Sequence, residues 1–303
     1  MKTITLGNHS ASAMVMGCMR LAGHSVSETD TLIHTALDSG VNFFDHADIY
    51  GGGESEALFG QVLHENPGLR DQMLIQSKCG IRKGCYDFSY DHIMKAVEGS
   101  LNRLQTDHLD FLLFHRPDAL AEQEEFAKAI QELKASGKVG HFGVSNMNPE
   151  QVMLLEAWGG EPMVADQLQL SLMHAGMVTA GINVNVDNQE AVMRDGSVLP
   201  FAQRTGMAIQ AWSPLQHGIF KGCFVGDPQF AELNRCLEEL ADAYQVSPIA
   251  VALAWILRIP GRMQVILGTV NPRHMEDALK AADLNLTREQ WYQLYRACDY
   301  VIL

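Results

Sequence analysis

The sequence predicts a (β/α)8 barrel, and three observations lead to that fold class. Short apolar runs alternate with helical patterns along almost the whole chain, at a spacing of roughly 30 residues that is typical of βαβ units and a parallel sheet. About eight such units fit into 303 residues. The doubly wound alternative needs a G-x-G-x-x-G fingerprint after its first strand, and the sequence has none. We therefore expect one α/β barrel domain over residues 1–303.

Eight runs of β-branched, aromatic and other apolar residues predict the barrel strands. In chain order they are Ala13–Met16, Val41–Asp45, Met73–Ser77, Leu109–Phe114, His141–Val144, Val164–Leu168, Ala208–Trp212 and Val265–Leu267. Ahead of them, Thr3–Leu6 followed by Gly7 and Asn8 predicts half of a β-hairpin.

Segments with apolar residues at helical spacing predict the helices. They are Glu28–Leu37, Glu54–Leu63, Asp91–Leu104, Glu122–Leu133, Pro149–Trp158, Gln189–Gln203, Phe230–Tyr244, Ile249–Leu257, Arg273–Ala281 and Arg288–Cys298. Ser27 and Asn148 predict helix N-caps, because their side-chain oxygens can accept hydrogen bonds from first-turn N–H groups. Gly40, Gly137 and Gly206 each lie between a helical run and a strand, as expected of a glycine that ends a helix.

One stretch, Gly176–Ser197, does not fit the strand–helix repeat. It contains Gly176 and Gly181, several asparagines and an alternation of apolar and polar residues from Ile182 to Val186. We expect an extended loop over the mouth of the barrel there.

The composition excludes several classes of protein. Acidic residues outnumber basic ones by 36 to 22, for a formal net charge of −14, and no basic run is interleaved with aromatics, so nucleic acid is not an expected partner. No apolar run reaches the length of a membrane span, and the N-terminus has no apolar signal core. Six scattered cysteines are then expected to be reduced thiols of a cytoplasmic protein. The sequence has no His-x-His motif at a strand end, so we expect no metal site. No feature of the sequence indicates an oligomeric state.

Four residues that end neighbouring strands point to a catalytic site. The second predicted strand ends at Asp45, with Tyr50 five residues on; the third is followed by Lys78 and the fourth by His115. Barrel enzymes carry their active sites at this end, so the four side chains are expected to meet. An ammonium group stabilises a phenolate, and a carboxylate holds that ammonium in position. An imidazole can hydrogen-bond to a carbonyl oxygen. This set suits protonation of an oxygen as a carbonyl is reduced, with a nicotinamide supplying the hydride.

The same residues lie in motifs that resemble those of the aldo-keto reductase superfamily. The run Phe44 to Gly51 (FDHADIYG) resembles the family's F-D-T-A-x-x-Y-G signature, and its D-H-A-D-I-Y-G-G continuation resembles the bacterial YdhF-like branch. Lys78 lies in a run similar to the lysine strand, and Asp110 to His115 resembles D-x-x-x-x-H. Further matches, in the family's order, are G-V-S-N ending at Asn146, the residue Gln167, and W-S-P-L from Trp212 to Leu215.

The resemblance implies a (β/α)8 reductase that uses NADPH, with NAD possible. It makes Tyr50 the general acid, Lys78 and Asp45 the pair that tunes it, and His115 the group that orients the carbonyl. It assigns two sets of cofactor contacts. Those at the nicotinamide end are Ser145, Asn146, Gln167, Trp212, Ser213 and Leu215, and those at the phosphate end are Gly268, Thr269, Arg273, His274 and Asp277.

The chain departs from the family pattern at the phosphate end. Gly268 stands where the family often has lysine and His274 where it often has arginine, so the preference for NADP over NAD is expected to be weaker. Asp166 replaces the usual asparagine before Gln167.

The substrate is not named by any motif. Met19, Arg20 and His46 are expected near the substrate, a small carbonyl compound, together with the loop from Gln216 to Asp227. The alternative function is a regulatory or redox-sensing member of the family that binds cofactor but has little turnover. A metal-dependent hydrolase on the same fold lacks the ligands.

Overall fold

The structure is a computed structural model, and it describes residues 1–182, 197–217 and 221–300. Twelve strands lie in these ranges. They are β1 (Thr3–Leu6), β2 (His9–Ser12), β3 (Met14–Gly17), β4 (Phe43–Asp45), β5 (Leu74–Cys79), β6 (Ile81–Arg82), β7 (Cys85–Tyr86), β8 (Leu109–Phe114), β9 (Val139–Ser145), β10 (Met163–Gln169), β11 (Ala208–Trp212) and β12 (Arg262–Leu267).

Eight of these strands close into a parallel barrel in the order β10-β11-β12-β3-β4-β5-β8-β9. The predicted fold class is therefore confirmed, and each predicted barrel strand overlaps an observed one. The remaining pairs, β1–β2 and β6–β7, are two-stranded antiparallel hairpins. The second of these hairpins was not predicted, because its four strand residues are too few to show a pattern.

The β1–β2 hairpin covers the amino-terminal end of the barrel. Leu6 and Ala11 from the hairpin are fully buried and belong to the same apolar cluster as Val15, Phe43 and Phe111 from the barrel strands. Closing that end with apolar side chains removes water from it. The opposite end, where the strands finish, is left for the polar groups described below.

Helices surround the barrel and bury their apolar faces against it. They are α1 (Val26–Asp38), α2 (Glu54–Glu65), α3 (Tyr90–Leu104), α4 (Gln123–Ala135), α5 (Pro149–Gly159), α6 (Gly176–Ile182), α7 (Val198–Thr205), α8 (Ala231–Tyr244), α9 (Pro248–Leu257), α10 (Pro272–Leu279) and α11 (Arg288–Arg296). Nine match predicted segments to within a few residues. Of the predicted helix Gln189–Gln203, residues 189–196 lie outside the described ranges, and α7 accounts for the rest.

Three local predictions have different outcomes. The N-cap of α1 is Ser25 and not Ser27, because Ser25 accepts from the backbone N–H of Glu28 while the Glu28 carboxylate accepts from Ser25 in return. Asn148 caps α5 as expected. Part of the expected loop is wrong: residues 176–182 form α6, whereas residues 183–196 lie outside the described part of the chain.

No single helix within the described residues is long and apolar enough to cross a membrane. The segments Pro228–Tyr244 and Pro248–Leu257 would reach that length only together, and the chain bends by 93° between them. Eight of the ten residues of α9 are buried in the main apolar core.

The contact between α2 and α3 depends on Gly60. A Cβ atom at Gly60 would lie 2.1 Å from the backbone oxygen of Arg103 and 2.7 Å from the carbonyl carbon of Leu104. Since both of these are backbone atoms, a larger side chain forces the helices apart. We expect Gly60→Ala to lower the free energy of unfolding by about 1–3 kcal/mol, the usual cost of overpacking, in urea titrations. Gly176→Ala is the control: nothing lies within 4 Å of its added methyl group, so equal effects of both changes would contradict this packing account.

Candidate active site

Three neighbouring strands bring the predicted catalytic residues to the carboxyl end of the barrel. Asp45 is the last residue of β4, Lys78 is next to last in β5, and His115 directly follows β8. These strands are hydrogen-bonded neighbours in the barrel. Tyr50 begins a short 3-10 turn, Tyr50–Gly53, that leads into α2. All four residues predicted to meet therefore lie at one rim.

The turn that holds Tyr50 needs glycine. Gly51, Gly52 and Gly53 have φ values of 59°, 66° and 98°, a left-handed conformation that side chains other than glycine rarely adopt. At Gly51 an added Cβ would also lie 2.4 Å from the Cβ of Ala22. The Y-G-G-G run thus fixes the backbone position from which the Tyr50 side chain extends.

Lys78 is the centre of the cluster. Its side chain is fully buried, and its Nζ donates hydrogen bonds to a carboxylate oxygen of Asp45 at 2.8 Å, to the His46 carbonyl at 2.7 Å and to the Tyr50 hydroxyl at 3.0 Å. Three acceptors satisfy the three N–H donors of an ammonium group. Tyr50 is thereby linked to Asp45 through one charged group.

Asp45 is held in turn by buried amides. Its Oδ1 accepts from Gln76 Nε2 at 2.6 Å and from Gln167 Nε2 at 3.0 Å. Gln210 exchanges hydrogen bonds with Gln76 at 2.9 Å and continues the chain to Gln264, whose amide reaches the Ser12 carbonyl. This glutamine network, comprising Gln76, Gln167, Gln210 and Gln264, was not predicted apart from Gln167. The signal was in the sequence, since Gln76 stands two residues before Lys78 and so shares its face of the strand.

The protonation states follow from burial and from Lys78. Burial alone would lower the pKa of Lys78, but the adjacent Asp45 and Tyr50 outweigh it and raise that pKa above its ordinary value. Burial raises the pKa of Tyr50, although the Lys78 charge acts in the opposite direction. Burial, Lys78 and Arg116 lower the pKa of His115 to about 2. At neutral pH the site therefore holds a charged ammonium, a protonated phenol and a neutral imidazole.

The rings of His115 and Tyr50 are arranged edge to face, with their centroids 6.2 Å apart. The Nδ1 atom of His115 is buried and has no hydrogen-bond partner among the residues that the structure describes. We therefore assign the single proton of the neutral imidazole to Nε2, which makes Nε2 the hydrogen-bond donor of this ring.

A second group of predicted residues adjoins the first at the ends of β9, β10 and β11. Ser145 Oγ donates to the Gln167 carbonyl at 2.8 Å, and Asn146 Nδ2 donates to Ser145 Oγ at 2.7 Å. The Trp212 indole N–H donates to Asn146 Oδ1 at 3.3 Å. The amide of Gln167 also donates to Asp45, so this group and the cluster around Lys78 are one connected network.

Two of the strand ends in this region carry a left-handed backbone without glycine. Asn146 has φ 59° and Ser213 has φ 48°. Such conformations cost energy and tend to occur at functional sites. Beyond Ser213, the Leu215 carbonyl accepts from Phe224 at 3.0 Å and ties down the loop that was expected near the substrate; its residues 218–220 lie outside the described ranges.

The residues predicted for the phosphate end lie around the start of α10. Thr269 and Asn271 form the turn before the helix, where Asn271 caps the backbone N–H of Arg273. Arg273 and His274 are exposed in the first turn. Asp277 forms an ion pair with Lys280 at 3.2 Å.

Arg20 was predicted to lie near the substrate. In the structure it contacts Gly268, one of the residues predicted at the phosphate end of the cofactor site. Its Nη1 donates to the Gly268 carbonyl at 2.9 Å. A guanidinium group thus lies beside the position where the family often has lysine.

The other two residues predicted near the substrate differ in exposure. The Met19 side chain is exposed after β3. The His46 ring is fully buried, packs edge-on against Phe59 with centroids 4.6 Å apart, and has no partner for either ring nitrogen. Burial and Lys78 lower the pKa of His46 to about 3, so it packs as a neutral ring. The structure does not bring this ring to the opening of the site. Within the described residues, no group of three or more His, Cys, Asp or Glu is arranged to hold a metal ion.

Asp166, which stands where the family has asparagine, is completely buried. Neither of its carboxyl oxygens has a well-formed hydrogen bond. Burial raises the pKa of Asp166 to about 8, and the nearby backbone N–H groups of Met147 and Asn146 offset this only in part. A neutral carboxylic acid therefore supports the loop that carries Asn146.

Comparison with known proteins agrees with this architecture. A model of the Aldo/keto reductase family matches residues 13–298. The chain is 37% identical over 297 residues to Oxidoreductase YdhF of Escherichia coli, covering 94% of this chain and 93% of that protein. It is 36% identical over 298 residues to 6-dehydroglucose reductase of Agrobacterium fabrum, with the same coverage of both chains. An aldo-keto reductase from Klebsiella pneumoniae, solved in complex with NADPH, superposes with a TM-score of 0.78 at 25% identity, covering 97% of this chain and 94% of that one.

The closed parallel barrel and these relatives define the class of protein as a barrel oxidoreductase. The chain belongs to the aldo/keto reductase family.

The buried carboxyl of Asp166 makes a measurable contribution to stability as a function of pH. Its pKa is about 8 in the folded protein and about 4 in an unfolded chain, so between these values the folded protein holds a proton that the unfolded chain has released. Raising the pH through this window therefore favours unfolding, by up to about 1.4 kcal/mol per pH unit. We expect Asp166→Asn to remove this slope and to be more stable than the wild type at pH 8.

Urea unfolding at pH 5 and pH 8 measures the effect. Asp38→Asn, a change at an exposed position at the end of α1, is the control and keeps the slope of the wild type. An Asp166→Asn protein with an unaltered slope would show that this carboxyl does not titrate in the window.

Proposed function

We propose that the protein reduces the carbonyl group of a small aldehyde or ketone to an alcohol, with NADP(H) as its cofactor. One observation carries the proposal: the buried Lys78 ammonium lies 2.8 Å from Asp45 and 3.0 Å from the Tyr50 hydroxyl. A phenol hydrogen-bonded to a charged ammonium can release its proton more readily as negative charge develops on a nearby oxygen.

The residues at the ends of β9, β10 and β11 fit a nicotinamide ring. Asn146 and Trp212 line a cavity of about 400 Å³, and the Trp212 indole offers an aromatic face there. Gln167 Oε1 accepts no hydrogen bond from the described residues, so an amide N–H of a ligand can bind it. When bound, the nicotinamide supplies the hydride. Ser145, Asn146 and Gln167 would hold its carboxamide, and Trp212 would cover one ring face, with Ser213 and Leu215 beside it.

Each of the four proposed catalytic residues has its own role in the reduction of the carbonyl group. Tyr50 donates its hydroxyl proton to the carbonyl oxygen of the substrate. Lys78 stabilises the negative charge left on Tyr50, and Asp45 keeps Lys78 charged and in position. His115 donates a hydrogen bond from Nε2 to the same carbonyl oxygen and orients it. With a pKa of about 2, His115 stays neutral in this role.

Arg20 and Arg273 would bind the phosphates of the cofactor. The Arg20 guanidinium lies 2.9 Å from the Gly268 carbonyl, and Arg273 and His274 are exposed at the start of α10, with Thr269 and Asp277 nearby. The NADPH in the Klebsiella relative supports the cofactor, and the relative named for 6-dehydroglucose supports a small carbonyl substrate.

The alternative is a regulatory member that binds cofactor with little turnover. The complete set of Asp45, Tyr50, Lys78 and His115 favours catalysis. Steady-state turnover of a reactive aldehyde separates the two. All six cysteines are free thiols, which supports a cytoplasmic location.

Tyr50→Phe tests the proton donor. The change removes one oxygen that accepts from Lys78 and leaves the ring, so we expect intact folding and cofactor binding with turnover lowered roughly 100-fold or more, the scale of general acid catalysis. Aldehyde reduction is followed by the absorbance of NADPH. Tyr292→Phe removes a hydroxyl from α11 and is the control. Turnover at the wild-type rate in the Tyr50 variant would exclude this residue as the acid.

Trp212 reports on the nicotinamide site. NADPH should quench the fluorescence of the wild type, and Trp212→Ala should lose much of the quench and bind about 1 kcal/mol more weakly, the scale of aromatic stacking. Trp158→Phe on α5 serves as the control and should keep the quench. Parallel titrations with NADH measure the coenzyme preference, for which we expect NADPH to bind more tightly. If the two Trp variants quench equally, Trp212 does not stack on the cofactor.

A further inference from the structure

The cavity beside Trp212 contains polar groups that the proposed mechanism does not use. It opens at the carboxyl ends of β8 to β11 and is lined by Arg116, Asn146, Leu168, Gln169, Met177 and Trp212 among others. Its volume of about 400 Å³ lies in the lower part of the range for small-molecule sites. Arg116 directly follows His115 in the chain, so the lining of the cavity begins one residue from the group proposed to orient the carbonyl.

The Arg116 guanidinium has no counterion among the described residues. No carboxylate of the described ranges forms an ion pair with it, although acidic residues outnumber basic ones by 36 to 22 in the chain. It is half-buried, and its charge is close enough to His115 to lower the pKa of that ring. An arginine kept partly out of water, with its donors unused, is ready to bind an acceptor.

Gln169 is a second unused donor in the same cavity. It is the last residue of β10 and is 7% exposed, and its Nε2 is buried without a hydrogen-bond partner in the described part of the chain. Leaving a buried N–H unpaired is unfavourable, so such a group in a native structure calls for an explanation. A ligand oxygen inside the cavity would supply the missing acceptor.

We propose that Arg116 and Gln169 bind a carboxylate on the substrate, and that the protein therefore prefers aldehydes or ketones that carry a carboxylate. This inference rests on the proposed function. A guanidinium and an amide N–H both donate, which matches the two acceptor oxygens and the single negative charge of a carboxylate. A dianionic phosphate would need a second fixed cation, and Arg116 is the one lysine or arginine that lines the described cavity. Leu168 and Met177, which also line the cavity, leave an apolar path for the carbon skeleton between the two functional groups.

A matched pair of substrates tests the preference. 4-Carboxybenzaldehyde and its methyl ester share one carbon skeleton and differ in charge. For the wild type we expect kcat/KM to be roughly 10-fold or more higher for the acid, the scale of one charge-assisted hydrogen bond. Arg116→Gln should abolish this difference by raising the KM of the acid, with the ester within about twofold of the wild type. Arg116→Lys should restore part of it, and Gln169→Met should lose part of it.

Two further measurements keep the outcome clear. Arg288→Gln, which removes an exposed arginine at the start of α11, is the control for net charge and should keep the preference. Calorimetric titration with benzoate needs no turnover: the wild type should bind it, and Arg116→Gln should bind it roughly 10-fold more weakly.

Each failure has its own signature. No reduction of either aldehyde contradicts the proposed function, while the benzoate titration still decides on the carboxylate site. Equal kcat/KM for acid and ester in the wild type, or equal benzoate affinity in wild type and Arg116→Gln, overturns the carboxylate site and leaves the reductase proposal standing. An Arg116→Gln protein that loses NADPH affinity but keeps the preference for the acid would assign Arg116 to the cofactor and also overturn it.

Discussion

A positive charge buried inside the barrel is the constraint on which the rest of the site depends. The Lys78 ammonium is completely out of water, and taking an ion out of water costs several kcal/mol unless it is paired and hydrogen-bonded. Asp45 supplies the opposite charge, while the His46 carbonyl and the Tyr50 hydroxyl accept the remaining protons. Asp45 must itself be satisfied, which explains the amides of Gln76 and Gln167 against its second oxygen. Removing any member would leave a buried polar group without a partner.

The barrel makes this arrangement rigid by distributing it over many strands. Asp45, Lys78, Gln167 and Gln210 come from four different strands, and each is fixed by the parallel register of its neighbours. Apolar side chains from the β1–β2 hairpin close the other end of the barrel, so the polar network faces only the carboxyl-terminal rim. The glycine turn after Tyr50 then brings the phenol to the ammonium from the loop side.

The site has a charged centre, the ion pair of Lys78 and Asp45, and this centre is surrounded by neutral groups. His46 and His115 are held neutral by burial and by the Lys78 charge, and Asp166 is neutral because it is buried with almost no donors. A second cation, Arg116, lines the cavity beside Trp212, and no acid within residues 1–182, 197–217 and 221–300 forms an ion pair with it. Two cations thus bracket the place proposed for the substrate, one toward its carbonyl oxygen and one toward its far end.

The sequence by itself determined the barrel, the strand that carries each predicted catalytic residue and the four residues at one rim, because period-2 and period-3.6 patterns and strand order are local properties of the chain. It missed the β6–β7 hairpin and mistook the cap of α1, since two-residue strands and competing serines leave no distinctive pattern. A single domain over residues 1–303 stays a prediction. Only the tertiary structure decided that Gln76, Gln210 and Gln264 join Asp45, that His46 is buried, that Arg20 lies beside Gly268 and that no described carboxylate forms an ion pair with Arg116. These facts depend on contacts between residues far apart in sequence, and on which groups water reaches, and no local pattern encodes either.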